Sequence, residues 1–453
     1  MNALLADACA RASAYLANLG EARVNPQPAA IQRLDRLGGK LPDGPSDPAA
    51  VLAMLDELGS PATVATTGGR YFGFVIGGSV PAALAANWLA AAWDQNAAFR
   101  VMSPVAAILE EIVIAWMTDL LGLPPSCGAG FVTGTTMANF SALAAARTAL
   151  LKRHGWDVEE NGLFGAPPIT VLVGEEVHVS ALKALALLGL GRSRVVSVSA
   201  DSQGRMRADA LPALDDRTIV CIQAGNVNSG AFDPAAEICE RAHAAGAWVH
   251  VDGAFGLWAA ASPKYAHLAK GFSSADSWAI DCHKWLNVPY DSGAAFVREP
   301  QYLRAAMTLS AAYLQQSEHR EPCQYTPEAS RRARGIELWA SLRSLGRRGL
   351  ADLIERNCRF ATTFAERFRA AGFEVLNDVV LNQVLVSFGS DQETTRVIRG
   401  VQEDGTCWCG GTQWHGRAAM RISVSSWATT EDDVERSAAA ILKVAKSAKL
   451  SPA

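Results

Sequence analysis

Four segments of this 453-residue chain carry residues that can do chemistry together. In SWAIDCHKWLNVPYDSG, Lys284 follows an apolar run and is flanked by His283 and Trp285. An ammonium in such a setting is costly to keep charged and unpaired, so it tends toward a lowered pKa or a covalent partner. In AWVHVDGAFG, Asp252 closes a hydrophobic run and Gly253 lets the chain turn, which puts a carboxylate at a strand end. The run Val132-Thr133-Gly134-Thr135-Thr136-Met137-Ala138-Asn139 joins a glycine and several hydroxyls to a helix start, whose free amides and positive dipole end suit a phosphate. His178, in GEEVHVSALKALALLGLG, stands between a strand and a helix.

Singly, each has a plain structural reading: a snorkelling lysine, a capping aspartate, a capped helix start, a core histidine. Together they meet the needs of pyridoxal phosphate (PLP) chemistry. That chemistry requires a lysine amine to hold the aldehyde as a Schiff base, an acid to keep the pyridinium nitrogen protonated, and a phosphate cradle. Two rivals come from other classes. His178, His250, Asp252 and His283 could form the zinc or manganese site of a metal-dependent hydrolase, but this leaves Lys284 and the hydroxyl-rich helix start without a task. A binding scaffold that kept the fold without the chemistry would be expected to lose one of the groups. The PLP reading assigns no metal ligand.

The order phosphate cradle, His, Asp, His-Lys resembles that of the group II PLP-dependent amino-acid decarboxylases, which include the aromatic L-amino-acid, glutamate and histidine decarboxylases. The resemblance runs from about Gly68 to Ser425 and is strongest between Phe131 and Gly293, with His283-Lys284-Trp285 its most specific piece. It implies the type I, aspartate aminotransferase-like fold, with Lys284 carrying the cofactor and Asp252 pairing with the pyridine nitrogen. By the same resemblance Ala254 lies against one face of the ring and His178 on the other, while Thr135, Thr136 and His283 bind phosphate. Gln223 and Asn226, in CIQAGNVNSGAFD, occupy the strand end and turn near the ring. Phe74, Ile76 and Gly77 match the segment that lines the substrate pocket, and Phe74 and Ile76 favour an aromatic or apolar substrate over an acidic one, a preference that a basic group folded in from elsewhere, such as Arg100 or Arg421, would reverse.

Tyr325 falls in the loop where these enzymes keep a tyrosine that returns a proton to the substrate carbon. That loop is usually given to the neighbouring subunit, which implies a homodimer. The implied reaction is decarboxylation of an L-amino acid to its amine and carbon dioxide. Cleavage of a Cα–Cβ bond, as in aldolases, and decarboxylating transamination are the alternatives on the same cofactor. Two departures bear on substrate choice: Asp281-Cys282 stands where the family usually has Asn-Pro, and the stretch from Tyr325 to Arg331-Arg332 is shorter than in the aromatic decarboxylases.

The elements that must position these residues follow from patterning. Thr170 to Val173, Arg194 to Val198, Thr218 to Ile222, Ala247 to Val251, Ser277 to Ile280 and Gly293 to Val297 read as buried strands, with helices such as Ser180 to Leu188 and Pro234 to Ala244 between them. The alternation predicts an α/β fold with a mostly parallel sheet covered by helices and with ligands at the carboxyl ends of the strands, and the resemblance implies that this sheet has seven strands with helices on both faces. A small C-terminal α/β part follows, with strands at Val384 to Phe388 and Met420 to Ser425 and a closing helix at Asp432 to Lys446. The expected divisions are an N-terminal helical segment, 1–67, a large PLP-binding domain, 68–330, and a small C-terminal domain, 331–453. Ser310 to Ser330, polar and with few apolar anchors, reads as a mobile loop.

Composition excludes other classes of function. With 49% hydrophobic and 19% charged residues the chain buries a large core, and a net charge of -4 spread along its length leaves no footprint for nucleic acid or an anionic membrane. The N-terminal residues lack the cationic start and long apolar run of a signal peptide, and the greasy stretch from Ala82 to Trp93 is too short to span a bilayer. Nine cysteines without zinc-site spacing read as reduced and buried thiols, which together predicts a cytoplasmic enzyme.

Overall fold

The computed structural model describes residues 1–308 and 318–450. Contacts divide the chain into two compact units, Met1–Ile76 with Thr363–Leu376 and Leu385–Ala453, and Gly77–Thr362 with Asn377–Val384. These bounds differ from the 1–67, 68–330 and 331–453 expected from sequence. In the smaller unit the segment around Phe72 is stitched by backbone hydrogen bonds, Phe72 N–H to the Trp408 carbonyl at 2.9 Å and Ser423 N–H to the Phe72 carbonyl at 2.9 Å. Pairing of distant chain, which patterning cannot show, is what joins the N-terminal segment to the C-terminal one.

The smaller unit begins with α1 (Asn2–Asn18), α2 (Pro28–Gln32) and α3 (Pro48–Gly59). In the larger unit follow α4 (Pro81–Trp93), α5 (Pro104–Leu120), α6 (Thr135–Arg153), α7 (Val158–Asn161), α8 (Val179–Leu187), α9 (Ala235–Ala244) and α10 (Pro300–Met307). Proline at the first helical position starts α4 and α5, where its missing N–H costs nothing. The strands of this unit are β1 (Gly128–Val132), β2 (Thr170–Gly174), β3 (Val196–Val198), β4 (Thr218–Gln223), β5 (Trp248–Asp252), β6 (Ser277–Asp281) and β7 (Gly293–Val297). They form one sheet in the order β1-β7-β6-β5-β4-β2-β3, in which β7 alone runs antiparallel to its neighbours.

Alternate sheet residues Val171, Val173, Ile219, Cys221, Ala279 and Ala295 enter one core with residues of α6, α8 and α10. The intervening Leu172, Val220, Ile222, Val249, Val251 and Ile280 are fully buried as well, so both faces of the sheet are covered. This is the mostly parallel α/β architecture that the alternation predicts. The strand at Gly128–Val132 was not assigned from patterning, because GAGFV carries two glycines and no alternation.

A long helix, α11 (Gly335–Ala370), is interrupted at Gly346, whose φ of 61° places it in the left-handed region that glycine tolerates. The remaining elements are β8 (Glu374–Val375), β9 (Gln383–Ser387), α12 (Asp391–Asp404), β10 (Gly410–Trp414), β11 (Arg417–Ser423) and α13 (Glu431–Leu450), with the strands in a four-stranded sheet ordered β10-β11-β9-β8.

Candidate active site

In the larger unit the chemistry-bearing residues gather at the carboxyl ends of the sheet strands, as parallel sheets dictate. Asp252 is the last residue of β5 and Gln223 of β4, while Lys284 stands three residues beyond β6, His178 four beyond β2, and Thr135 three beyond β1. A cleft there is lined by His178, Gln223, Gly225, Val227, Asp252, Ala254, Phe255 and Lys284.

The turn that carries Lys284 is rigid. Asn287, at a left-handed φ of 54°, donates its side-chain amide to the Trp285 carbonyl at 2.8 Å, and the buried Ser341 hydroxyl donates to the Leu286 carbonyl at 3.0 Å. Gly77 packs so closely here that an added Cβ would lie 1.8 Å from the Lys284 carbonyl oxygen. Any side chain at position 77 would therefore push the lysine turn away. The Lys284 ammonium meets Asp281 Oδ2 at 2.7 Å, and Asp281 Oδ1 accepts the Thr135 backbone N–H at 2.6 Å. Burial alone would raise the Asp281 carboxyl, but the charges of Lys284 and His283 and the bonds from Lys284 and Thr135 outweigh it and hold the pKa below the usual value.

Asp252 is 7% exposed and is oriented by a directed network. The Trp248 indole donates to Ser277 Oγ at 2.9 Å, and Ser277 lies 2.9 Å from His250 Nδ1. His250 Nε2 lies 2.9 Å from Asn139 Oδ1, and Asn139 Nδ2 donates to Asp252 Oδ2 at 3.1 Å. Burial pushes His250 down to about 3, so its ring is neutral and passes one hydrogen bond along the chain. Ala254 N–H donates to Asp252 Oδ1 at 3.3 Å. Both ring nitrogens of His250 are thereby engaged, which removes it from any metal-ligand set.

His178 is the N-cap of α8: its Nδ1 accepts the Ser180 N–H at 3.3 Å and lies 2.7 Å from the Ser180 hydroxyl. It caps a helix and lines the cleft at once. Gln223 donates to the Glu176 carbonyl at 3.2 Å and is clamped by Asp233, which accepts its backbone N–H at 2.7 Å. Asn226 makes the turn, its side-chain oxygen accepting the N–H groups of Asn228 at 2.8 Å and Ser229 at 3.2 Å. Thr136 is half-buried beside the buried Thr135, and His283 stacks on Tyr290 with ring centroids 4.2 Å apart.

In the smaller unit Phe74 is 61% exposed and stacks on Trp408, which also stacks on Tyr71. Phe74 and Val75 both hold left-handed φ values, 52° and 58°, a strained conformation for a β-branched residue and one that favours functional segments. Ile76 is half-buried in the same cluster.

Tyr325 is placed elsewhere. It ends a short turn, Pro322–Tyr325, that packs on β1: an added Cβ at Gly130 would lie 2.0 Å from the Tyr325 carbonyl oxygen. The Arg320 guanidinium covers its ring at 4.5 Å and pairs with the buried Glu110 at 3.1 Å. Its own chain therefore anchors Tyr325, which is not among the residues lining the cleft around Lys284, and residues 310–317 of the expected mobile loop lie outside the described residues.

Sequence reasoning named Asn139 in the cradle run, His250 only as a metal ligand and Asp281 only as a departure, and missed the hydrogen-bond and charge roles they hold here. Two of them leave a signal: His250 shares a strand face with Asp252, two residues on, and Asn139 lies one helical turn along α6 from Thr135.

The residues present fit PLP. The Thr135 hydroxyl is buried at the N-terminus of α6 with no hydrogen-bond partner, where the helix end favours an anion, and the missing side chain at Gly134 lets His283 pack against that end, since an added Cβ would fall 2.9 Å from His283 Cε1. Anion cradle, lysine and carboxylate on one sheet edge are what a type I PLP-dependent enzyme requires. Residues 62–389 match the family described as pyridoxal-dependent decarboxylase conserved domain, and the chain belongs to that family. It is a PLP-dependent carboxy-lyase acting on an amino acid.

An aromatic-L-amino-acid decarboxylase of Bacillus atrophaeus is 26% identical over 423 residues, covering 88% of this chain and 86% of that protein. Tryptophan decarboxylase 1 of Oryza sativa is 27% identical over 416 residues, covering 83% and 79%. An acidic amino acid decarboxylase of Mus musculus is 29% identical over 329 residues, covering 69% and 59%. Among solved structures, that of Oryza sativa TDC with PLP and tryptamine superposes with a TM-score of 0.90 at 22% identity over 98% of this chain and 97% of the other. Mouse CSAD gives 0.88 at 23% identity over 98% of each.

Proposed function

We propose that the chain decarboxylates an L-amino acid with an apolar or aromatic side chain, as a cytoplasmic homodimer. The observation that carries the substrate class is the cleft lining: beside Lys284 and Asp252 it offers Val227, Phe255 and Ala254, and among the described lining residues no arginine meets a side-chain carboxylate. The exposed Phe74 on its Trp408 shelf adds aromatic surface to the chain.

PLP, when bound, supplies the electron sink for the bond broken at the substrate α-carbon. Lys284 would carry it, and Thr135, Thr136 and His283 would hold its phosphate. Asp252, fixed by Asn139, would hold a proton on the ring nitrogen and so keep a positive charge opposite the developing negative one. His178 and Ala254 would flank the ring, with Gln223 and the turn made by Asn226 beside it. Assaying the purified enzyme with the twenty common amino acids, measuring carbon dioxide and amine, tests the reading. Turnover of glutamate or aspartate in preference to tryptophan, tyrosine and leucine would overturn the substrate class.

The dimer is supported by surface that a single chain leaves uncovered. The 17-residue α1 buries no residue, Leu5 and Leu16 are exposed on it, and Trp88, Leu89 and Trp93 are exposed on α4. Light scattering on the eluted peak is expected to give twice the 48.0 kDa of one chain, and a monomer mass at micromolar concentration would refute it. For the compartment, no helix of the described residues is long and apolar enough to cross a membrane, and the nine cysteines are free thiols, as a reducing environment favours.

Tyr325 has a packing task of its own, so Tyr325→Phe, which keeps the ring under Arg320, is expected to leave the amine-to-carbon-dioxide ratio unchanged. Aldehyde and ammonia replacing amine in that variant, with dioxygen consumed and hydrogen peroxide formed, would instead assign Tyr325 to proton return at the substrate carbon, from its own or a second chain.

A further inference from the structure

Asp281 lies where an anion is wanted, yet it is itself an anion. It is 3% exposed, and its two oxygens take the donors at the start of α6: Oδ1 accepts the Thr135 N–H at 2.6 Å and lies 3.3 Å from His283 Nε2, while Oδ2 pairs with Lys284 Nζ at 2.7 Å. Beside it the Thr135 hydroxyl, on a residue 5% exposed, has no partner. Donors recruited by a carboxylate next to a buried hydroxyl without a hydrogen-bond partner make a cradle that is half satisfied from within.

We propose that Asp281 is an internal competitor for the phosphate cradle, holding Thr135 and Lys284 in the cofactor-free chain and setting how tightly a phosphate group is bound. This rests on the assignment of the α6 start as the cradle. An incoming phosphate must share the Thr135 N–H with the carboxylate or displace it, and two anions a few ångströms apart in a buried site repel strongly. Relief comes from a proton. The groups facing Asp281 are Lys284 and His283 on its own turn and the amide end of α6, with Asp291 beyond His283. Among the groups touching the cradle, Asp281 is the one that loses a negative charge on protonation, so an incoming phosphate raises its pKa from its low value and favours the protonated carboxyl. Affinity therefore falls as pH rises, more steeply with the carboxylate present than without it.

The test uses inorganic phosphate and pyridoxamine 5′-phosphate, neither of which bonds covalently to a lysine, titrated calorimetrically into the cofactor-stripped full chain between pH 6 and 8.5. Asp281→Asn keeps the shape, and Asp281→Ser keeps an acceptor for the Thr135 N–H if the amide disturbs folding. Either variant is expected to bind both probes at least tenfold tighter than wild type and to show a shallower pH dependence. Both slopes contain the titration of His283 and of the phosphate itself, so their difference isolates Asp281. Equal or weaker affinity in folded variants, or parallel pH slopes, would overturn the proposal. Thr135→Val separates the cradle assignment from the role of Asp281. If it leaves wild-type phosphate binding untouched, the cradle is misassigned and the proposal falls with it; if it weakens binding while the Asp281 variants match wild type, only the competitor role fails.

Discussion

Replacing Lys284 by alanine is expected to abolish carbon dioxide release from every amino acid tested, a loss of at least about four powers of ten, or roughly 5 kcal/mol of transition-state stabilisation. Among the described residues no other lysine lines the cleft to take over. The turn itself is expected to survive, since Asn287 and Ser341 hold its carbonyls independently of the Lys284 side chain. Asp281 then loses the cation at 2.7 Å that keeps its carboxyl acidic. Two measurements check this. Borohydride treatment of the cofactor-loaded wild type followed by peptide mapping is expected to label Lys284 alone, and the alanine variant is expected to release its cofactor on dialysis without label. Label on a different lysine would remove Lys284 from the role.

Asp252→Asn is expected to leave cofactor bound while slowing decarboxylation by about three powers of ten, roughly 4 kcal/mol. The proposed phosphate cradle at Thr135 lies on α6, not on the strand that carries Asp252. What changes is the charge facing the ring nitrogen, and the network behind it. Asn139 donates its amide N–H to Asp252, and its orientation is set by the neutral His250, which takes its oxygen. An asparagine at 252 offers one oxygen where the carboxylate offered two, and it carries no charge to keep a proton on the ring nitrogen. The visible absorption of the bound cofactor and its pH dependence report that loss directly. Near-normal turnover in the variant would reduce Asp252 to the end of a strand and the acceptor for the Ala254 N–H.

The sequence by itself determined which candidate residues the cleft brings together and most of the sheet that holds them. Lys284, Asp252, His178 and the Thr135-Thr136 helix start were legible because each follows an apolar run, and in a parallel sheet the ends of such runs converge on one edge. Buried strands also advertise themselves: β2, β4, β5, β6 and β7 lie within a residue or so of where hydrophobicity placed them, whereas the glycine-rich β1 had no pattern to read. Only the tertiary structure decided how the groups are electrically wired. That His250 is neutral and relays a hydrogen bond through Asn139 to Asp252 depends on burial and on two elements 111 residues apart meeting at 2.9 Å. That Asp281 pairs with Lys284 and occupies the Thr135 amide, and that Tyr325 is held against β1 under Arg320, likewise follows from packing. Patterning reports which face of an element is apolar; hydrogen-bond partners and charge states depend on which faces are brought together, and that is set by long-range contacts that leave no local trace.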